Sequence, residues 1–453
     1  MQVTTIDRFA PEPGELVTWA VDTEGRVPVA SPVPPSFNQS VHLGGAEGAT
    51  VWLAAAFDID GPVDLKAAEY AYRALIARHG TLHSSFTRHG GEIVREVFDP
   101  DDLTLVERPP LRLDSGAALR QRLWSDFDAA CGPFGFPAYL PAAISRPDRS
   151  TLICAFDHSH VDAWSISIII DDLHSLYHGF LAEPGGFDAD HLPMSGNFLD
   201  FCAAETLRPP TGPGDPRLRE WVRFLDARDG TPPSFPLDLG VAPGESAPQG
   251  ADVRPVLDAG ATALFEAHCR RNGASLFAGV LSAMAGATRA MGGGPELALL
   301  FPMHTRHDEP ARRAVGWFTT NAPLSVVAGL DLTETMRRTG PALRAAVRLG
   351  EIPIPEVVGA IGGLRQERSD VFMVSYVDYR ALPGAGRHDA VRAHHVSNVT
   401  TADDAQFWLS RTESGLAIRS RFPDTATGRS VISDFLSEVI DAVARVPSEV
   451  RCR

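Results

Sequence analysis

The residues best suited to moving a proton gather in one short run, Phe156-Asp157-His158-Ser159-His160-Val161-Asp162-Ala163-Trp164-Ser165. Histidine titrates near neutrality, so His158 and His160 are candidate general bases. Asp157 and Asp162 could orient an imidazole, pair with a cation or cap a helix. Burying such groups is costly unless they are paired or put to use. A plainer reading is also open: the run is a strand-to-helix corner whose helix is capped by Asp162 or Ser165.

The flanking residues say how the run is held. Residues 151–156 form an apolar, strand-like approach. On the far side, Ile166, Ile169, Ile170, Leu173, Leu176 and Tyr177 recur at helical spacing, and Gly179 is expected to end that helix. The polar run therefore sits on a turn between a buried strand and a buried helix. The partial positive charge of a helix N-terminus disfavours imidazolium and keeps a nearby ring neutral, the state a general base needs. If the strand continues through the run, alternation puts His158 and His160 on one side.

Length and composition bound what this turn serves. A chain of 453 residues with 44% hydrophobic residues has material for two cores. The net charge of -16 argues against nucleic acid, which calls for a basic face. Lys66 is the only lysine and falls in an amphipathic pattern, which disfavours Schiff-base chemistry. Cys131, Cys154, Cys202, Cys269 and Cys452 form no Cys-x-x-Cys pair, as expected of reduced thiols in a cytoplasmic protein. Neither a signal-like N-terminus nor an apolar membrane-spanning stretch is evident.

Along the chain, residues 1–36 read as a proline-rich extended arm anchored by Trp19. Strand-like and helix-like patterns then alternate as far as the proline-rich stretch 206–216, which we take as the boundary between two halves. The second half repeats this grammar, with strands expected at 252–257, 297–301, 371–376, 405–410 and 415–421, and a closing helix at 430–443. His394 and His395 are expected in a polar loop. An α/β protein of two related subdomains follows, 1–205 and 217–453.

With these elements in order, the sequence resembles the condensation-domain superfamily of acyltransferases. Its His-His-x-x-x-Asp-Gly motif is matched by residues 157–163, where His158 takes the place of the second, catalytic histidine and Asp162 that of the aspartate. Asp157 replaces the first histidine and Ala163 the glycine. Arg78-His79-Gly80-Thr81-Leu82-His83-Ser84-Ser85-Phe86 and Gly316-Trp317-Phe318-Thr319-Thr320-Asn321-Ala322-Pro323-Leu324 match further family segments. Pro34-Pro35-Ser36-Phe37-Asn38-Gln39 and Gln406-Phe407-Trp408-Leu409-Ser410-Arg411 fit a stand-alone subgroup: the polyketide-associated acyltransferases and the free-standing ester-forming enzymes of enediyne pathways.

The resemblance implies two chloramphenicol-acetyltransferase-like subdomains in a V-shaped pseudo-dimer with a tunnel between them. It implies a setting in natural-product assembly, of the kind that makes nonribosomal peptides and antibiotics. The acyl donor would be a thioester on a carrier protein's phosphopantetheine, so no bound cofactor or metal is called for. The acceptor would be a small-molecule alcohol or amine. His158 would be the catalytic base. Asp162 would pair with Arg306 and, with Asp157, shape the motif. His160, Trp317, Asn321, Ser375 and Tyr376 are candidates for support or substrate contact. Two other readings compete: an acyl-CoA-dependent wax-ester or diacylglycerol-type acyltransferase, and an inactive fold that binds carrier proteins.

Overall fold

A computed structural model describes residues 1–45, 50–185 and 187–451, the last four of these without side-chain detail. Cys452 lies outside the described residues. The other four cysteines are buried free thiols. Residue contacts divide the chain into two units. The first is Met1–Arg208 together with Thr305–Phe318 and Ala381–Val399; the second is the remainder. The break at Arg208 falls in the proline-rich stretch. The two segments that return to the first unit are a feature no composition shift announces.

The first unit is built on an eight-stranded sheet. Its strands are β1 (Gln2–Thr5), β2 (Gly14–Asp22), β3 (Trp52–Asp60), β4 (Tyr139–Ser145), β5 (Arg149–Asp157) and β6 (His394–Ser397), with Thr104–Glu107 and Leu111–Leu113 pairing beside β2. The order is β1-β6-β3-β5-β4-β2. Residues 1–36 are therefore more than an extended arm, although Trp19 does anchor them. Both β1 and β2 are sheet strands, and Trp19 is wholly buried. His394 and His395 are not in a loop either. They pair with β1 on one side and β3 on the other, which satisfies the backbone that a polar side-chain pattern disguises.

The helices that matter for the site are α1 (Phe37–Gly45), α2 (Leu65–Arg78), α3 (Gly116–Ala130) and α4 (Ala163–Ala182). From Trp52 to Phe57 strand β3 is buried on both faces, which is why that stretch is a continuous apolar run rather than an alternating one. Trp52, Ala54 and Ala56 pack with Leu119, Leu123 and Phe127 of α3. Helix α4 packs on α2 and β3 and buries Ile166, Ile169, Ile170 and Leu173. Gly179 does not end α4. The helix continues to Ala182, and the glycine is required because a Cβ there would lie 2.5 Å from the Phe187 ring.

The second unit carries a seven-stranded sheet, in the order Thr319–Val327, Glu296–His304, Met373–Asp378, Gln406–Thr412, Gly415–Pro423, Ala247–Asp258, Thr401–Ala402. Helices Ala259–Arg271, Leu276–Ala290 and Ala426–Arg451 accompany it, and its core includes Phe265, Leu281, Met284, Phe407 and Phe435. Both units are mixed α/β, as the strand-and-helix grammar predicts.

Candidate active site

Strand β5 delivers Asp157 into a fully buried position, and α4 begins at Ala163 with Asp162 as its N-cap. Between them the chain makes a turn. The His158 amide donates to Val51 O at 2.8 Å and the His160 amide to Asp157 O at 3.0 Å. The strand therefore stops before the histidines, and alternation does not place their rings together. His160 is 1% exposed, contacts Thr81 Oγ1 through Nδ1 at 3.1 Å and lies beside the Phe86 ring. Burial drives its imidazolium pKa down to about 4. It is a core histidine. His158 is the partly exposed one.

The geometry of His158 selects its tautomer. Its Nδ1 lies 2.8 Å from Val161 O. A carbonyl only accepts, so Nδ1 carries the hydrogen and the neutral ring has its lone pair at Nε2. One ring face stacks on Trp317, with centroids 4.0 Å apart and planes 21° apart. Burial, followed by the charge of His42, holds the His158 pKa below the ordinary imidazole value. A ring with fixed orientation, a bare Nε2 and a lowered pKa is poised to accept a proton near neutral pH.

Asp162 is bound by other partners. Its carboxylate takes Arg306 Nη1 at 2.6 Å and Nη2 at 3.0 Å, the Ser165 amide and hydroxyl at 2.8 Å each, and the Phe318 amide at 3.1 Å. Burial alone would raise its pKa; the Arg306 guanidinium and the Ser165 donors outweigh burial and hold it low. Arg306 is itself wholly buried, donates to Ala314 O and Gly316 O, and sits 4.4 Å over the Phe318 ring. The pair lies inside the first unit, because residues 305–318 belong to it. The pair ties that returning segment, which also carries Trp317, to the motif turn.

Two further side chains reach the turn from α1. Gln39 donates to Ser159 O at 2.7 Å and accepts from Arg95 Nη2 at 2.8 Å. His42 Nε2 lies 3.1 Å from both oxygens of Asp157. Sequence reasoning quoted Gln39 only as part of a segment and missed His42 altogether. No spacing rule links residues 115 positions apart. The Arg78-His79 segment is structural: both side chains hold Asp172 of α4, at 2.9 and 3.0 Å. Asn321, Ser375 and Tyr376 stand on strands of the second unit. Among the described residues no His, Cys, Asp and Glu cluster is arranged to hold a metal ion, and no described helix is long and apolar enough to cross a membrane.

The sequence model of the condensation domain matches residues 46–379, more than half of the chain. The chain belongs to the condensation-domain family. Acyltransferase PapA3 of Mycobacterium tuberculosis is 28% identical over 98% of this chain and 97% of its own. Trehalose-2-sulfate acyltransferase PapA2 of Mycobacterium bovis is 26% identical over 96% and 95%. Among solved structures, a PapA2 acyl transferase superposes with a TM-score of 0.86 at 23% identity, over 99% of this chain and 100% of that one. The X-domain from teicoplanin biosynthesis gives 0.70 at 18%, over 93% and 96%. This condensation-family protein is thus an acyltransferase with the chloramphenicol-acetyltransferase-like α/β fold, as its motifs led us to expect.

Proposed function

We propose that this condensation-family enzyme moves an acyl group from a carrier-protein phosphopantetheine thioester to an acceptor hydroxyl, forming an ester, with His158 as the base. The observation that carries this reading is the bare Nε2 of a ring tied through Nδ1 to Val161 O. The acceptor O–H gives its proton to Nε2 as its oxygen attacks the thioester carbonyl. The tetrahedral intermediate expels the thiolate, which takes the proton back from His158, leaving ester and free thiol. The thioester is already activated, so the residues need only accept, hold and return one proton.

PapA2, a relative matched over nearly its whole length, is named a trehalose-2-sulfate acyltransferase, and trehalose is a polyhydroxylated acceptor. That favours a hydroxyl over an amine. Arg219 and Arg223 lie on the helix Pro216–Asp226 and are exposed; they are candidate contacts for an acidic carrier protein. Incubation with acyl-carrier protein or acyl-CoA, each with matched alcohol and amine acceptors and read by mass spectrometry, tests the reading. Ester formed faster from the carrier is expected. Equal kcat/KM with acyl-CoA would point to the CoA-dependent class. Amide without ester would overturn the acceptor assignment, and no product from any pair would leave a carrier-binding fold.

A further inference from the structure

Where the motif of the resembled family has a first histidine, this chain has Asp157, wholly buried, at the end of β5. A bare carboxylate next to the base would hold a proton on that base. The structure answers it from another element. His42 of α1 is 10% exposed and aims Nε2 at the carboxylate, equidistant at 3.1 Å from both oxygens, while the Ser159 amide donates to Oδ1 at 2.9 Å. The His42 ring also stands edge-on to Trp317, with centroids 5.9 Å apart, and its centroid is 6.4 Å from that of His158. His42, Trp317 and His158 thus form one contiguous set, with Asp157 beneath it.

We propose that His42 is a positioning residue for the reaction: as the imidazolium partner of Asp157 it balances the buried carboxylate, so that His158 stays unprotonated and seated against Trp317. The inference rests on His158 being the base.

The other charged and titratable groups about His158 do not substitute for this. Asp162 and Arg306 are bound to each other. His160 is buried and uncharged near neutrality. For the Asp157 carboxyl, burial works upward, but the His42 hydrogen bond and charge, together with the Ser159 hydrogen bond and a smaller neighbouring charge, outweigh it and hold the pKa low. Of the charges felt by His158, that of His42 is larger than that of Asp157, and it opposes protonation.

The test is the acidic limb of the kcat/KM profile, which reports the base in the free enzyme. His42→Gln keeps a donor for Asp157 but removes the charge. A unit charge at about 6 Å in water is equivalent to roughly half a pH unit, and more in a drier site. The limb of His42→Gln should therefore rise by at least that amount, with turnover recovered at higher pH. In the His42→Gln/Asp157→Asn double variant the stranded carboxylate is gone, so the limb should fall back below that of the single variant while staying above wild type. The double variant also serves if the single one does not fold. His42→Arg, which keeps a fixed charge, should leave the limb low. Limbs unmoved in both His42→Gln and the double variant would overturn the proposal, even with lowered kcat, because a purely structural role lowers rate without shifting the profile. His158→Ala separates the two levels. If that variant retains the acidic limb, the base assignment itself has failed; if the limb vanishes there but is unmoved by His42→Gln, only the role of His42 has.

Discussion

Arg306 and Asp162 stand 144 positions apart, yet each terminal guanidinium nitrogen donates to its own carboxylate oxygen, at 2.6 and 3.0 Å. Neither side chain is appreciably exposed. A buried pair of this kind is weak evidence for net stability, because desolvation opposes the Coulomb gain. Breaking it is another matter, since the survivor is left charged in a dry site.

Asp162→Ala or Arg306→Ala should therefore cost about 3–5 kcal/mol. The double variant should cost much less than the sum of the two. Thermal and denaturant unfolding of the three proteins checks this, and additive losses would dissolve the pair. Asp162→Asn should be nearly as harmful as alanine. The amide could still cap α4, but it would press N–H groups against a guanidinium that already has its five donors to place.

His158→Ala should slow acyl transfer by about 10²–10⁴ with a melting temperature close to wild type, because the ring is partly exposed. His160→Ala should show the reverse balance. Its ring fills core space beside Phe86, so the loss is in stability, about 1–3 kcal/mol, with smaller effects on the rate of folded molecules. Steady-state rates normalised to active protein, set beside melting curves, separate the two. A greater rate loss in His160→Ala at native-like stability would reverse the assignment.

The parts of this site legible in the sequence are those that lie close together along the chain. The apolar approach, the helical spacing after Ala163 and the capping carboxylate are local signals, and they place the turn correctly. His42 and Gln39 were not legible in this way. They come from α1, and what brings them to Asp157 and Ser159 is tertiary packing rather than any period. The same holds for β1 and β6: each is four residues long, too short to establish an alternation, and they pair in parallel across nearly the whole chain. Gly179 misled for a related reason, since its meaning lies in the Phe187 ring and not in helix termination.

Trp317→Ala should lower kcat more than it raises KM if the indole serves mainly to seat the imidazole. An aromatic pair of this geometry is worth about 0.5–1.5 kcal/mol beyond burial, equivalent to a loss of roughly two- to twelve-fold. Trp317→Phe keeps a stacking face and should recover most of it. A pure KM effect, with kcat intact in both variants, would instead mark the indole as a substrate contact.

Stability should fall as pH drops from about 6.5, and His160 should account for part of the slope. Its folded-state pKa is about 4 because burial disfavours the imidazolium, whereas in the unfolded chain it sits near the ordinary value. Between the two, the unfolded state binds a proton that the folded state does not. Stability then rises with pH across that window and is lost on acidification. His174 and His388 are lowered to about 4 as well, so His160 is one contributor among several. His160→Gln removes one titrating group. Its unfolding free energy at pH 7 should be lower than wild type, but its decline from pH 7 to pH 5 should be shallower by up to one proton's worth of slope. Chemical denaturation at several pH values measures that slope directly. Parallel wild-type and variant curves would mean that His160 already shares its proton affinity with the unfolded chain, and would contradict a ring buried in its neutral form.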